Sequence, residues 1–458
     1  MREITFDLTE TITTLMGEKK YATLRDLLST MNAADVATVM EDMEREKLPL
    51  LFRLLPKELA AETFVEMDSD TQEMLIQGFS DQELKEVVDE LYVDDAADIV
   101  EEMPANVVKR ILRQADPETR KMINEILNYP EDSAGSIMTT EYVSLRPNMT
   151  AEEAIKRIRR TGIDKETIYT CYVTDDDKTL KGYISIRTLI LAEEDDRIRD
   201  IMDDNVISVT TTADQEDVAQ MFSKYDFMAL PVVDKENRLV GIITVDDAID
   251  VLQEETTEDI EKMAAIVPTE KPYSKNTPFD LFKSRIPWLL LLMVSATFTG
   301  LIISKFESAL TAVICLNAFI PMIMDTGGNA GSQASVSIIR SLALRETEFA
   351  DYFRVIWREI RTALLCGGVL ALATFAKVLL VDRLLLGNET VTITVALVVC
   401  LTIAFTVLVA KIVGASLPML ADKLGFDPAV MASPFITTIV DALSLLLYFA
   451  IASTFLGI

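Results

Sequence analysis

The stretch from Ile320 to Gln333 reads IPMIMDTGGNAGSQ and lies inside a segment that is otherwise apolar enough to cross a bilayer. It contains a proline, three glycines, two amide side chains and the carboxylate of Asp325. A bilayer core offers no hydrogen-bond partners to loosened backbone or to an ionised carboxylate, so such residues occur there only along a water-filled path or inside protein. The stretch therefore predicts the wall of a pore or substrate site, with locally loosened backbone.

The net charge of −30 is unevenly distributed along the 458 residues. Residues 281–458 carry 12 Lys and Arg against 11 Asp and Glu, so the acidic excess lies entirely in residues 1–280. An excess of this size repels nucleic acid and anionic lipid, and it favours multivalent cations. We therefore expect no nucleic-acid partner.

Several chemistries are excluded by what the sequence lacks. It has no histidine, no Cys-X-X-Cys spacing and no Gly-X-X-X-X-Gly-Lys phosphate loop. This removes histidine metal sites, histidine acid–base catalysis and the common nucleotide-hydrolysing motif, so we predict that the chain is not an enzyme. The opening residues MREITFDLTETI also lack the apolar core of a signal peptide, which predicts a cytosolic N-terminus.

Residues 1–130 show helical apolar spacing with short breaks at a loose period near 30 residues, which predicts a small superhelical array. From about residue 137 an internal repeat follows, in which IMT (137–139) recurs as IMD (201–203), and LKGYISI (180–186) recurs as LVGIITV (239–245). Two copies of a β-α-β-β-α unit resemble a tandem pair of CBS domains.

The CBS resemblance implies clefts that can hold an adenine nucleotide such as ATP, with the ribose on a Ser/Thr-X-X-Asp pattern. The second copy has this pattern as Thr244-Val-Asp-Asp247. The first copy reads Ser185-Ile-Arg-Thr188 and lacks the Asp, which argues against nucleotide binding there. ATP is therefore a possible ligand, and the sequence leaves the question open.

Five apolar stretches near 286–304, 309–339, 362–381, 390–413 and 429–457 reach the length of about 18–20 residues that a membrane-spanning helix needs. Basic residues crowd the second connection, between residues 340 and 361, which the positive-inside rule places in the cytosol. We expect a multi-pass protein of the cell membrane with a cytosolic N-terminus and a C-terminus outside. The acidic segment before the first span is too polar to cross and predicts a connecting helix that acts as a lever or plug.

Asp441 lies near the middle of an apolar helix, where an ionised carboxylate costs at least about 2.5–3.5 kcal/mol unless it is solvated or paired. We interpret it as an ion ligand. The alternatives are that a neutral, protonated Asp441 makes a hydrogen bond to a neighbouring helix, or that Asp441 pairs with Lys411. The oxygens available from carboxylate, amide, hydroxyl and backbone groups suit hard cations, and few carboxylates among many neutral oxygens suit a hydrated Mg²⁺. The glycines at 327 and 331 could instead serve close helix packing.

These features together resemble the MgtE family of magnesium channels and transporters over essentially the full length. The resemblance rests on the stretch DTGGNAGSQ (325–333), the helix SPFITTIVD (433–441), the CBS pair with YDFMALPVVD (225–234), and ETTEDI (255–260). It implies a homodimer in the lipid membrane with a Mg²⁺ pore on its two-fold axis, which closes when intracellular Mg²⁺ is abundant. Relatives can carry Gly where Asp325 stands and Asn where Ser433 stands, which puts the charge and selectivity of this pore in question.

The resemblance also assigns the metal-binding residues. The pore residues are Asp441, Asp325, Asn329 and Ser433. The cytosolic sensing carboxylates are Glu62, Asp94, Asp98, Asp214, Glu216, Asp226, Asp247, Asp250, Glu255, Glu258 and Asp259. Carboxylates that face each other across domain interfaces repel when bare and attract when Mg²⁺ bridges them, which gives such gating a physical basis.

The sequence thus predicts a multi-domain membrane protein. It consists of an all-α superhelical N domain (1–130), an α/β tandem CBS pair (131–200 and 201–250), a connecting (plug) helix with its linker (251–280) and an α-helical transmembrane domain of five helices (281–458). Two other functions stay open: a broader divalent cation transporter that admits Co²⁺, Mn²⁺ or Ca²⁺, and a non-conducting membrane-anchored sensor of cations or nucleotides.

Overall fold

The N-terminal part of the chain forms ten short α-helices, as the apolar spacing predicted. In this computed structural model, which describes residues 2–269, 273–431 and 433–457, polar residues begin several of these helices. Asp68, Ser80 and Asp116 each accept a hydrogen bond from a backbone N–H of the following turn. The helices are α1 (Arg2–Gly17), α2 (Tyr21–Leu28), α3 (Ala33–Glu41), α4 (Leu48–Phe52), α5 (Lys57–Val65), α6 (Ser69–Gly78), α7 (Asp81–Val88), α8 (Val93–Glu102), α9 (Ala105–Gln114) and α10 (Pro117–Ile126).

Two copies of the predicted β-α-β-β-α unit follow. The first is β1 (Ser144–Leu145), α11 (Ala151–Thr161), β2 (Thr170–Thr174), β3 (Leu180–Ser185) and α12 (Ile186–Leu191). After the short α13 (Ile198–Ile201), the second is β4 (Val209–Thr210), α14 (Gln215–Tyr225), β5 (Ala229–Val233), β6 (Leu239–Thr244) and α15 (Val245–Met263). In each sheet the first pair of strands is parallel and the second antiparallel, so the two copies share one topology.

The repeated IMT and IMD segments each pair with a strand of the other copy. Thr139, which precedes the first copy, bridges to Ile242 in β6, and Asp203 bridges back to Tyr183 in β3. A Cβ at Gly241 would come within 2.6 Å of the Met138 sulfur, and Gly182 faces Met202 in the same way. The glycine in each repeated strand therefore makes room for a methionine from the other copy.

The chain divides into two compact units, Met1–Leu252 and Gln253–Ile458. The connecting helix predicted from residue 251 is the second half of α15, which begins at Val245 directly after β6. The second unit continues with α16 (Pro278–Lys305), α17 (Glu307–Ala312), α18 (Ile320–Ala343), α19 (Tyr352–Lys377), a π-helical turn (Val378–Leu385), α20 (Ile393–Lys423) and α21 (Ser433–Leu456).

Four helices in the described part of the chain are long and apolar enough to span a membrane: Pro278–Lys305, Phe349–Leu385, Ile393–Lys423 and Pro428–Leu456. The remaining predicted span, 309–339, is broken: α17 and a 3₁₀ turn precede α18, which starts at Ile320. With 24 residues, α18 is about 36 Å long, enough to cross, but its polar residues lower its hydropathy.

The expected loosening of the backbone in 320–333 was wrong. The whole stretch lies in the regular helix α18, with Pro321 in its first turn. Proline is tolerated there because the first turn has no intrahelical acceptor for its missing N–H. The glycine carbonyls are therefore not freed by unwinding.

The long helices alternate in direction. Contacts of Tyr352 with Ser416 (2.9 Å between hydroxyl oxygens) and of Cys400 with Ala371 (2.7 Å from sulfur to carbonyl oxygen) make α19 antiparallel to α20. The Phe306 ring, just after α16, stacks on Phe449 near the end of α21 at 4.6 Å. At the other end, the segment 262–267 contacts the starts of both helices, through Ser284 in α16 and Asp427 just before α21, so the two helices run parallel.

The helix α18 completes this alternation. Gly327 faces Thr406 and Gly331 faces the carbonyl of Ala410, so α18 runs parallel to α20. The same two glycines face α21 in reverse order, Gly327 at Ser444 and Gly331 at Ile436. Consecutive helices α16, α18, α19, α20 and α21 therefore reverse direction, as five successive crossings require.

Candidate functional site

The helix α18 has a polar exposed face and a glycine-lined buried face. Asp325 and Asn329 are one turn apart and exposed, whereas Gly327, Gly328 and Gly331 are buried. Because helix positions four apart share a face, the carboxylate and the amide present neighbouring oxygens on one side of α18. This side is the candidate ion-facing surface.

The glycines hold α18 against its neighbours within the same chain. A Cβ at Gly327 would come within 2.7 Å of the Ser444 hydroxyl, and one at Gly328 within 2.9 Å of Thr437. A Cβ at Gly414 of α20 would collide with the carbonyl oxygen of Gly331. The alternative that these glycines serve close helix packing is therefore correct.

Asp441 is half-buried in α21, and its Oδ1 is buried with no hydrogen-bond partner among the described residues. The carboxylate of Asp325 is the acidic group within electrostatic range of it. A buried oxygen that accepts no hydrogen bond is costly unless a cation or ordered water satisfies it. The arrangement thus provides two carboxylates, on α18 and α21, at which a hard cation could be held. The side chain of Ser433 lies outside the described residues.

Lys411 does not pair with Asp441, the alternative considered from the sequence. Its Nζ lies 3.6 Å from Oε2 of Glu359, so a buried ion pair joins α20 to α19. Sequence reasoning missed Glu359 because it stands among the arginines at the start of α19 and resembles part of a solvated end. The pair leaves Asp441 available to an ion.

In the first unit, acidic residues gather around the start of α8. Asp94 is 7% exposed, and its Oδ1 has no hydrogen-bond partner in the described part of the chain. Burial, followed by the charges of Asp247, Asp95 and Glu166, raises the pKa of Asp94 well above its usual range. The side-chain charges that act most strongly on Asp94 are all negative, a setting that favours protons or a cation.

The other members of this acidic cluster respond in the same way. Burial and the Asp247 charge raise the pKa of Asp95 to about 7 and that of Glu166 to about 8. Burial also raises the pKa of Asp247 to about 6, although hydrogen bonds from Thr244 oppose the shift. The pKa of Asp98, whose side chain keeps contact with solvent, is raised by partial desolvation and then by Asp95.

Asp95 and Glu166 were not among the predicted sensing residues. Asp95 adjoins a predicted one, and its helical neighbour Asp98 lies one turn away, so the acidic pattern of α8 was a usable signal. Glu166 lies in the segment before β2, where sequence offers no sign of its long-range partners. The described residues contain no group of three or more Asp, Glu or Cys close enough to hold a metal ion directly.

Several predicted sensing residues occupy other positions. Glu62, Asp214 and Asp226 are exposed, Glu216 is half-buried, and Asp214 caps α14 by accepting the Glu216 N–H at 2.9 Å. Asp250 is exposed. The pKa of Glu66, directly after α5, is raised by the burial of Glu66 and then by the charge of Asp250. The structure gives these residues surface positions rather than positions in the cluster at α8.

The second half of α15 carries Glu255, Glu258 and Asp259, all half-buried in the second unit. The Nζ of Lys262 lies 2.6 Å from Glu258 and 2.7 Å from Asp427, in the connection between α20 and α21. Burial and the Asp427 charge raise the pKa of Asp259. The half-buried ammonium of Lys262 therefore joins the connecting helix to the connection between α20 and α21.

The comparisons with known proteins match three parts of this architecture in the same order along the chain. The family model described as MgtE, a divalent cation transporter, matches residues 320–451, the MgtE intracellular N domain matches 31–132, and CBS domains match 134–195 and 198–254. Among solved structures, the cytosolic domain of the Mg²⁺ channel MgtE in complex with ATP is 38% identical, with a TM-score of 0.51, and covers 53% of this chain and 99% of its own.

Curated relatives extend the match to the full length. The magnesium transporter MgtE of Thermus thermophilus is 37% identical over 433 residues, 94% of each chain. That of Enterococcus faecalis is 40% identical over 334 residues, 73% of this chain and 71% of the relative. This chain, a multi-pass membrane protein with a helical N domain and a CBS pair, belongs to the MgtE family of divalent cation transporters.

Proposed function

We propose that this chain moves Mg²⁺ across the membrane through a pore formed by two copies, and that Mg²⁺ bound to its soluble unit closes the pore. Magnesium transport follows from the full-length relatives, which are named magnesium transporters, and so does the expectation that the chain is not an enzyme. The observation that carries the site is Asp441, whose Oδ1 is buried without a hydrogen-bond partner among the described residues.

The pore ligands are Asp441 and Asp325, with Asn329 and Ser433 as neutral oxygen donors. Mg²⁺ dehydrates reluctantly and keeps several waters, so it is held by few carboxylates and by hydrogen bonds through its water shell. The exposed polar face of α18 supports a homodimer, because two copies of that face around an axis would enclose a hydrated ion. Surrounding lipid then contacts the outer faces of α16 and α19.

Mg²⁺ uptake into liposomes by the purified full chain tests the pore ligand. We expect Asp441→Ala to reduce uptake about 100-fold or more, because an intramembrane cation loses its charged partner. Asp422→Ala, at the exposed end of α20, removes an equal charge and should leave uptake unchanged. Uptake by Asp441→Ala equal to that of the parent chain would remove Asp441 from the transport path.

Gating is assigned to the acidic cluster around Asp94 and Asp247. Bare carboxylates there repel, so an ion that neutralises them stabilises the packing that brings them together. The first unit would sense cytosolic Mg²⁺, which requires the N-terminus to lie inside the cell. The C-terminus would then lie outside. The alternating helix directions support this orientation, as do the basic residues between α18 and α19.

The gating proposal predicts that Asp94→Asn with Asp247→Asn weakens inhibition by Mg²⁺ on the soluble-unit side. We expect the half-inhibitory Mg²⁺ concentration to rise about tenfold, since an attraction of about 1.4 kcal/mol corresponds to that factor. Asp176→Asn with Asp177→Asn, in the exposed β2–β3 loop, is the charge-matched control. An unchanged inhibition curve in the first variant would contradict the assignment.

ATP is a proposed second ligand of the CBS pair. Thr244 and Asp247 already interact, the Thr244 N–H donating to Asp247 at 3.3 Å, and a solved relative holds ATP in its cytosolic domain. Since Asp247 belongs to the acidic cluster as well, nucleotide and Mg²⁺ binding would be coupled through one carboxylate.

A broader divalent cation transporter is the second candidate function. It is favoured by Asp325, a second carboxylate near Asp441. A site with more carboxylates binds an ion directly, which favours cations that lose their water more readily than Mg²⁺. Inhibition of uptake by hexaammine cobalt, which mimics hydrated Mg²⁺, separates the two, since a dehydrating site would not recognise it. A sensor without conduction predicts no uptake at all.

A further inference from the structure

One stripe of α19 changes from arginine to apolar residues as it runs into the membrane. Helix positions at spacings of 4, 3, 4, 3 and 4 lie along a single face. Starting from Arg354, this stripe contains the exposed residues Arg354, Arg358, Arg361, Leu365, Gly368 and Leu372.

The three arginines are only weakly neutralised within the described part of the chain. Asp351 lies 3.9 Å from Arg354, which stays 78% exposed, and such a surface pair contributes little. Glu359 lies on the same helix but is directed into the bundle at Lys411. Residues 281–458 also lack the acidic excess of the first unit, so three arginines spaced over about 10 Å of helix axis present a local positive surface.

The apolar end of the stripe is open. A Cβ at Gly368 would meet no atom within 4 Å, so Gly368 forms a notch between Leu365 and Leu372, which are 74% and 73% exposed. Beside the arginines, Trp357 is 58% exposed, and the Arg361 guanidinium lies 6.0 Å from its ring centre. Tryptophan at the boundary between charged and apolar residues is typical of the membrane interface.

We propose that this stripe binds an anionic phospholipid. The phosphate lies among Arg354, Arg358 and Arg361, and an acyl chain lies along Leu365, Gly368 and Leu372. Guanidinium groups bind phosphate oxygens in a bidentate manner, which accounts for the charged end. A soluble anion would occupy only the arginines and leave the apolar notch empty. A phospholipid fills both ends of the stripe, with its phosphate at the membrane surface and its acyl chain in the apolar region.

The test measures phospholipid retained by the purified full chain after exchange into neutral detergent, with phosphatidylglycerol and phosphatidylcholine supplied in equal amounts. We expect the parent chain to retain phosphatidylglycerol preferentially. Each arginine near an anionic headgroup contributes about a fivefold factor, so Arg354→Gln, Arg358→Gln and Arg361→Gln together should weaken retention about 100-fold. Glycerol phosphate should not compete, because it lacks the acyl chains.

Two further variants guard against effects on insertion or folding. Gly368→Phe fills the notch without changing any charge and should also reduce phosphatidylglycerol retention. Arg157→Gln, Arg159→Gln and Arg160→Gln on α11 remove three charges from the first unit and should leave it unchanged. The proposal is overturned if the parent chain retains both lipids equally, if either α19 variant retains phosphatidylglycerol like the parent, or if the α11 variant loses it equally.

Discussion

At the scale of the residue, the second unit contains two kinds of buried charge. Oε2 of Glu359 and Oδ1 of Asp441 are both buried without a hydrogen-bond partner among the described residues. Glu359 nevertheless has the positive charge of Lys411 at 3.6 Å, between α20 and α19, whereas the charge that acts on Asp441 is that of another carboxylate, Asp325. A neutralised pair can be a fixed part of the bundle, but an unsatisfied carboxylate needs an ion or water to be stable at that depth. This difference is the reason for assigning ion binding to Asp441 and a structural role to Lys411.

The ion pair between Lys411 and Glu359 predicts how single and double variants differ in stability. Lys411→Met leaves Glu359 buried without a counter-charge and should destabilise the folded chain by about 3–5 kcal/mol. Adding Glu359→Gln should recover much of that loss, because the double variant buries no unpaired charge. Thermal unfolding in detergent measures both, with Lys305→Met at the exposed end of α16 as control. Equal midpoints for Lys411→Met and Lys305→Met would contradict a stabilising pair.

At the scale of the element, α8, the start of α15 and the segment before β2 contain carboxyl groups that hold protons more tightly when folded than when unfolded. The pKa is about 6 for Asp247, 7 for Asp95 and 8 for Glu166, against about 4 in an unfolded chain. Burial is the main cause at each of the three. These elements are therefore least stable when the carboxyls are ionised and no cation is bound.

The pH dependence of the first unit follows with a definite sign. Between pH 4 and 8 the folded unit binds more protons than the unfolded chain, so its free energy of unfolding should fall as pH rises, by on the order of 2–4 kcal/mol after allowance for solvent screening. Denaturant unfolding of residues 1–252 in a chelator measures this, and added Mg²⁺ should restore stability more at pH 8 than at pH 5. Asp95→Asn with Glu166→Gln should flatten the profile, and a rise in stability with pH would contradict the argument.

The backbone of α18 is more regular than its sequence suggested. Its glycines and proline suggested unwound backbone, yet Gly327 and Gly331 lie in a regular helix because α20 and α21 fill the space that their missing side chains leave. Close packing offsets the poor helix propensity of glycine. Asp325 and Asn329 lie together on the exposed side of α18 because of helical spacing rather than a distorted chain, and their role as pore residues stays a prediction.

At the scale of the whole molecule, five long helices of the second unit reverse direction one after another. Five crossings would place the two ends of the second unit on opposite sides of the membrane. By the positive-inside rule, the basic residues that follow α18 and begin α19 would place that connection in the cytosol. Together these features favour an N-terminus inside and a C-terminus outside.

Labelling with a membrane-impermeant maleimide in intact cells tests this orientation. In a chain whose four native cysteines are replaced, we expect a cysteine at Gly457 to be labelled from outside and one at Gly17 to be labelled only after the cells are opened. A cysteine at Gly387, in the connection between α19 and α20, should behave like Gly457. Labelling of Gly17 and Gly457 from the same side would mean that one helix does not cross.

The sequence by itself determined the order of the domains, the repeated CBS topology and the membrane-spanning character of the second half, because hydrophobic length and repeat pattern are local properties. It also singled out Asp441 as a candidate ion ligand, because an isolated charge in an apolar helix is visible in the sequence, and that role stays a prediction. The tertiary structure alone decided which charges face each other. Glu359 rather than Asp441 neutralises Lys411, and Glu166 joins Asp94 and Asp247 from a distant segment. It also showed that the glycines of α18 serve close packing in a straight helix, since whether a missing side chain loosens a helix or admits a neighbour depends on what packs against it.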